Sequence, residues 1–390
     1  MPSVARPQAP AAEAAGRQPS EPRRTAPVEL LWDLVFVFAI TQVSTLLRSD
    51  LSWAGFGRAM LVLALVWWAW SAYVWVTNAQ DRDSPVLRAA LLAAGGVIFI
   101  AGLAVPHAYG GEGVLFALAY VVVRLGHLAL YADVSRRGNA SLAAILSFGA
   151  WTCVGMALLI AGSLMHDGWR VGLWTAAALI DYAGPAWLTR ERLRGLQQVA
   201  VEHFAERYGL FVIICLGESV VAIGVGAQEH ELDAEIVVGV ALALIITGEL
   251  WWAYFTRFAN TAQERLRTVA DPVLVAADAY SYIHLLIVAG IIVFAVGARE
   301  AVADVSGDLA DPARLALCGG IALWLLGGVA FRLRIVGTIS WEKVAAAAAC
   351  LAWFALSGGV PAWAAQAVLA VLLGVLLAWE QGHDPAVARP

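Results

Sequence analysis

Residues 55–78 read GFGRAMLVLALVWWAWSAYVWVTN, and Arg58 is the only charged side chain among them. A helix of that length covers about 36 Å, more than the ~30 Å hydrocarbon core of a bilayer. In water, a helix this apolar would need cover on every face. Similar runs lie near 29–47, 85–105, 113–132, 143–163 and 169–188. Six more follow near 208–228, 235–256, 273–298, 313–331, 334–356 and 360–379. The 390-residue chain is 61% hydrophobic and 14% charged, whereas soluble domains carry about 25% charged residues. The chain therefore reads as an all-α, polytopic membrane helix bundle of about twelve transmembrane helices.

The segments outside these runs are short. Residues 1–27 are rich in Pro, Ala and Arg and lack the apolar core of a signal peptide, so they read as a disordered cytoplasmic tail. Residues 189–207 read as an amphipathic cytoplasmic connector, and 380–390 as a second cytoplasmic tail. Ser84-Pro85, Asp271-Pro272 and Asp311-Pro312 each place a capping side chain before a Pro at a helix start. Pro361 opens the last run in the same way, and Pro185 should kink the sixth. Many of the 17 Trp residues, such as Trp53, Trp169, Trp341, Trp363 and Trp379, sit near span ends, as interfacial aromatic belts require. Trp67, Trp68, Trp70 and Trp75 instead crowd one helix and read as helix packing.

The two halves resemble each other. Trp67-Trp68-Ala69-Trp70 followed by Ala79-Gln80-Asp81-Arg82 is echoed by Trp251-Trp252-Ala253-Tyr254 followed by Ala262-Gln263-Glu264-Arg265. Ala94-Gly95-Gly96-Val97-Ile98-Phe99 is echoed by Ala289-Gly290-Ile291-Ile292-Val293-Phe294. Residues 28–188 and 208–379 thus read as two six-helix repeats. An even number of spans per unit gives both the same orientation, related by an axis along the membrane normal.

Basic residues fix the sidedness. With a cytoplasmic N-terminus, 19 of the 25 Lys and Arg residues fall in inside segments and five outside, with Arg124 inside a span. That bias follows the positive-inside rule and places both termini in the cytoplasm of a bacterial plasma membrane.

Charged groups within spans are costly and are candidates for function. Glu29, Asp33, Thr41 and Ser44 share a sector about 120° wide on the first helix. Tyr120, Arg124, His127 and Tyr131 share about 60° on the fourth. Glu218 lies mid-way along the seventh. Glu29, Asp33, Arg124, His127 and Glu218 form the candidate intramembrane polar site, with Arg124 expected to pair with Asp33 or Glu218. Asp181, Glu249, Asp278 and His284 are secondary candidates. The same groups read equally well as buried ion pairs that fix helix packing.

Val28 to Ala39 (VELLWDLVFVFA), Glu202 to Phe211 (EHFAERYGLF) and Leu216-Gly217-Glu218-Ser219 together resemble the bacterial low-temperature-requirement A family. The Trp-rich second span ending in Thr77-Asn78, and His284 ahead of Ala289-Gly290-Ile291-Ile292, fit the same family. Trp32 stands where members commonly carry Phe. The resemblance runs from about Val28 to Trp379. It implies a fold and a membrane location, while the family's name records a cold-growth phenotype and no activity.

No H-E-x-x-H, G-x-S-x-G or Walker-type loop is present, so the sequence does not read as an enzyme. The seven His residues lack metal-ligand spacing, and no cofactor motif occurs. Cys153, Cys215, Cys318 and Cys350 lie in apolar runs without C-x-x-C spacing and read as packing residues. No basic cluster suits nucleic acid. The partners expected are the lipid bilayer and a small polar or ionic solute; nothing in the sequence sets an oligomeric state. The leading function is a transporter or permease for such a solute. The alternatives are an ion channel and a non-transporting membrane protein for cold or stress adaptation. In a cysteine-free background, single cysteines at Gly111 and Glu231 should react with an impermeant maleimide added to intact cells, and one at Arg136 should not. External labelling at Arg136 would overturn the topology.

Overall fold

The computed structural model describes residues 25–79, 84–137, 142–184, 201–229, 231–258, 265–266, 268–269 and 271–382. Most of the N-terminal tail, Pro185, most of the connector, most of the C-terminal tail and most of the residues after the two Trp motifs lie outside these, while the last helix carries the first three tail residues to Gly382. Among the described residues, twelve apolar helices follow in order. They are α1 (Pro27–Ser49), α2 (Trp53–Ala79), α3 (Pro85–Ala104), α4 (Gly113–Arg136), α5 (Leu142–Ser163) and α6 (Asp167–Ala183). The second six are α7 (Val201–Ala227), α8 (Ala234–Ala253), α9 (Pro272–Ala303), α10 (Asp311–Val336), α11 (Trp341–Leu356) and α12 (Ala362–Gly382). Ten of them are long and apolar enough to cross a membrane. α6 and α11, at 17 and 16 described residues, are shorter.

Local chemistry sets most boundaries. α1 opens on Pro27, and the Glu29 carboxylate turns back to accept the Ala26 N–H at 2.9 Å. Ser84 and Asp271 cap α3 and α9 by accepting from Leu87 and Leu274 N–H, both at 3.4 Å. The expected cap at Asp311 does not form. The helix begins at Asp311 itself, and its carboxylate accepts from Arg314 Nη2 at 2.8 Å, a charged partner within one turn. α10 also runs beyond its apolar stretch to Val336 and stops at Gly337, whose φ of 82° only glycine adopts easily. The eleventh helix accordingly starts at Trp341 and not near 334.

The order of packing in the first six helices recurs in the second. α1 packs on α2 and α3, α3 on α4, α4 on α5, α5 on α6 and α2 on α6; α7 packs on α8 and α9, α9 on α10, α10 on α11, α11 on α12 and α8 on α12. The faces do not follow the same symmetry. Trp68 is buried while its counterpart Trp252 is exposed, and Phe99 is exposed while Phe294 is buried. The halves meet where α1 and α2 pack against α7 and α9. α9 is the central helix, with 78% of its span enclosed against 39% for α3. On α4, Leu115, Leu118, Val122 and Leu125 point outward, opposite the buried Tyr120, Arg124, His127 and Tyr131.

Lipid tails are as apolar as Leu, so close packing and polar contacts must hold the helices together. α9 and α10 approach closely because glycine leaves room. A Cβ on Gly297 would overlap the backbone nitrogen of Leu317, and one on Gly320 that of Phe294. Gly297→Ala should therefore force α9 from α10 and cost about 1–3 kcal/mol, as overpacked cores do. Gly248→Ala, with open space around its Cβ, should leave the melting temperature in detergent unchanged.

Candidate functional site

α1 and α7 each carry a polar pair at i, i+4, which places both members on one face. Glu29 and Asp33 on α1 meet His203 and Arg207 on α7. Arg207 donates from Nη2 to Asp33 Oδ1 at 2.6 Å and from Nε to Oδ2 at 3.1 Å, while Nη1 lies 2.9 Å from Glu29 Oε1. His203 Nε2 sits 3.2 Å from Glu29 Oε2, and its Nδ1 lies 3.4 Å from Asn78 Oδ1 on α2. Trp70 on α2 donates its indole N–H to Asp33 Oδ1 at 2.7 Å. Asp33, His203 and Arg207 are fully enclosed, and Glu29 nearly so. The cluster holds two carboxylates and one guanidinium. One proton, on His203 or on a carboxylate, makes it neutral.

Beside it stands a hydroxyl cluster. Ser71 Oγ lies 2.7 Å from Tyr208 Oη and donates to Ser281 Oγ at 2.9 Å. Trp75 donates to that same hydroxyl at 2.8 Å, and Trp67 donates to the Ser281 carbonyl at 2.7 Å. Ser281 belongs to a π-helical stretch, Ala277–Ile283, in the first half of α9. Such wide turns are frequent at functional sites.

Further along α1 and α7 the second polar site opens. Thr41 donates to Glu218 Oε2 at 2.6 Å. Both line a crevice of about 340 Å³ between α1, α7 and α9, with Ser44, Arg48, Arg299 and Glu300. At its mouth Arg48 bonds Glu300 at 2.6 Å, and Arg299 bonds Glu229 at 3.0 Å. Eight residues, about 12 Å of helix rise, separate Asp33 from Thr41. Within that interval Phe36 and Ile40 on α1 and Phe211 and Cys215 on α7 are all buried.

The expected pairing of Arg124 with Asp33 or Glu218 does not occur. Arg124 donates from Nη2 to both oxygens of Asp181 on α6, at 2.8 and 2.9 Å, and to Thr152 on α5 at 3.1 Å. Asp181 is thus a principal partner rather than a secondary candidate. His127, one turn beyond Arg124, is buried with it and stands apart from the α1–α7 cluster. The five primary candidates therefore occupy three places. Of the remaining secondary candidates, His284 is buried and its Nε2 lies 2.7 Å from Tyr254 Oη. Asp278 accepts from Arg334 Nε at 2.8 Å near a helix end. Glu249 leaves Oε2 buried without a hydrogen-bond partner.

The family described as Bacterial low temperature requirement A protein (LtrA) matches residues 24–378, nearly the whole chain. The chain belongs to this family. A protein of Rhizobium meliloti (strain 1021), described as "Uncharacterized protein RA0937", is 32% identical over 361 residues, covering 90% of this chain and 88% of its own. Family membership and the run of apolar helices together make this a multi-pass membrane protein in contact with lipid.

In this LtrA-family chain Arg207 and His203 are site residues that do not stand among the sequence-based candidates. Arg207 lies in the polar stretch that reads as connector, yet α7 begins at Val201 and buries it. The usable signal was spacing: His203 and Arg207 repeat the i, i+4 interval of Glu29 and Asp33. Truncating Arg207 alone, as Arg207→Gln, should strand two buried carboxylates and cost about 3–5 kcal/mol. Adding Glu29→Gln and Asp33→Asn should restore much of that loss in thermal unfolding. Additive losses in the triple variant would show that the three groups do not act as one unit.

Proposed function

We propose that this protein is a transporter or permease that moves a small polar or ionic solute across the bacterial plasma membrane. One observation carries the reading: two polar sites are stacked on the same helix pair. The crevice ending on Thr41 and Glu218 is reached from one end of α1 and α7, and the Glu29–Asp33–His203–Arg207 cluster lies at the other. The plug of Phe36, Ile40, Phe211 and Cys215 between them is what a carrier closed on one side requires. It favours a carrier over a continuously open channel. Buried charge at this depth is costly, and a transport pathway is a recurring reason for its presence. Because the cluster needs one proton for neutrality, movement of the solute has a ready coupling ion.

In this reading both termini are cytoplasmic. Arg48, Glu229, Arg299 and Glu300 then line the external mouth, and Glu29 and His203 face the cytoplasmic end. The solute leaves as it entered, so no catalytic group is assigned.

Purified protein in proteoliposomes should carry a saturable, gradient-driven flux of at least one member of a panel of protons, Na⁺, K⁺ and labelled small organic ions. Glu218→Gln should reduce that flux about tenfold or more with an unchanged melting temperature, a loss of at least ~1.4 kcal/mol in transition-state stabilisation. Unitary currents in a planar bilayer would replace the carrier with a channel. Absence of flux across the whole panel from folded protein would favour a non-transporting role in cold or stress adaptation.

A further inference from the structure

A second cavity lies away from the α1–α7 axis, among α2, α4, α5 and α9. Its volume is about 70 Å³, room for several water-sized occupants. Trp68, Phe148 and Tyr282 supply apolar wall, and Arg124, His127 and Thr152 supply the polar groups.

Two of those groups are unspent. Arg124 is 2% exposed, and its contacts to Asp181 and Thr152 all use Nη2. Nε and Nη1, with three N–H donors between them, have no hydrogen-bond partner. His127 is 3% exposed, and its Nδ1 has none either. Thr152 is already committed, donating to Asp181 Oδ1 at 2.8 Å. Buried donors are almost always matched to an acceptor, and a cavity edged by unmatched ones is shaped for a ligand that brings acceptors.

Charge arithmetic narrows the ligand. Asp181 already cancels Arg124, so an added anion would leave one uncompensated charge among aromatic walls. An anion that arrives with a proton adds none. His127 is the group placed to hold it. The charged groups facing His127 are Arg124 on its own helix and, through it, Asp181 on α6. Tyr73 of α2, Phe148 of α5 and Ala277 of α9 bring no charge to it. The two oxygens of a carboxylate suit one Nη1 donor of the guanidinium and one imidazole N–H, and an apolar tail suits Trp68 and Phe148. The small volume limits that tail to a few carbons.

We infer that this cavity binds a short-chain monocarboxylic acid, with one carboxylate oxygen on Nη1 of Arg124 and the other on a proton held by Nδ1 of His127. The carboxylate enters with its charge; the lone pair of His127 Nδ1 takes one proton from a hydronium ion of the solvent, forming the N–H bond and leaving water. At neutral pH the free acid is ionised, so binding draws one proton from solution per anion bound.

Titration calorimetry of the purified full chain tests this without any transport assay, so its outcome is separate from that of the carrier reading. Acetate, propionate and butyrate would be compared with their primary amides and with inorganic phosphate, in two buffers of different protonation enthalpy. The expected result is saturable binding of at least one of the acids, with uptake of about one proton per anion. The amides and phosphate should bind about tenfold more weakly or worse. Arg124→Lys keeps a cation against Asp181 and removes the planar donors, and should abolish acid binding. If that variant does not fold, His127→Phe decides, because it preserves an aromatic wall and should remove both the proton uptake and most of the affinity. Equal binding of acid and amide, acid binding without proton uptake, or no binding of any acid would overturn the assignment.

Discussion

Arg207 is the constraint on which the arrangement of the two halves depends. A guanidinium stays protonated under all ordinary conditions, so it cannot escape burial by neutralisation. Here it is wholly enclosed, and its charge is met by two carboxylates one turn apart on α1. That geometry admits one register of α1 against α7. A slide of one turn, about 5.4 Å, would set Arg207 opposite a single carboxylate or none. Because lipid offers no hydrophobic penalty for helices that drift apart, a contact of this kind specifies the interface in a way that apolar packing alone does not. α2 is drawn into the same arrangement through Trp70 and Asn78, and α9 through the Ser71–Tyr208–Ser281 hydroxyls.

The contacts at helix ends agree with one pattern of alternation. Arg48 of α1 reaches Glu300 of α9, and Arg299 of α9 reaches Glu229 beyond α7. Arg170 at the start of α6 donates to the carbonyls of Ala108 and Gly110 in the turn after α3. At the opposite ends, Arg334 joins Asp278, Arg332 joins Glu342 and Lys343 joins Glu380. Each pair links ends that a twelve-span alternation puts on the same side. The loops confirm this by backbone pairing as well, with Ala362 and Trp363 donating to Gly307 and Val305 at 2.9 and 3.0 Å.

Much of the fold was legible in the sequence because lipid imposes a simple rule: about 20 apolar residues make a span. The polar stripe on α4 was legible too, since Leu115, Leu118, Val122 and Leu125 oppose it. The partners of that stripe were not. Which face of one helix meets which face of another depends on crossing angle and rotation, and apolar runs encode neither. Asp181 therefore passed for a weak candidate while holding the whole charge of Arg124. Arg207 was hidden by the opposite error. The helix begins before its apolar stretch does, so a buried arginine was counted with the loop. Asp311 shows the limit of local motifs, because a nearby arginine outcompeted the backbone for its carboxylate. The repeat was readable as an order of packing, but the exchanged environments of Trp68 and Trp252 show that each half has its own interior.

The π-helical stretch at Ala277–Ile283 has a geometric consequence for the centre of the molecule. A π turn holds one residue more than an α turn, so it behaves as a dislocation in the helix. Shifting that dislocation along α9 would advance the intervening residues by one position, a rotation of about 100° and a rise of about 1.5 Å. Ser281 lies within the stretch, and His284 begins the helix that follows it. Such a shift would swing the Ser281 hydroxyl away from Ser71, Trp75 and Tyr208 while α9 stayed clamped to α10 by its glycines. The same turn would carry Tyr280 and Tyr282 out of their contacts with Tyr208, Phe331, Trp68 and Tyr182, so the dislocation ties the centre of α9 to the aromatic packing of both halves.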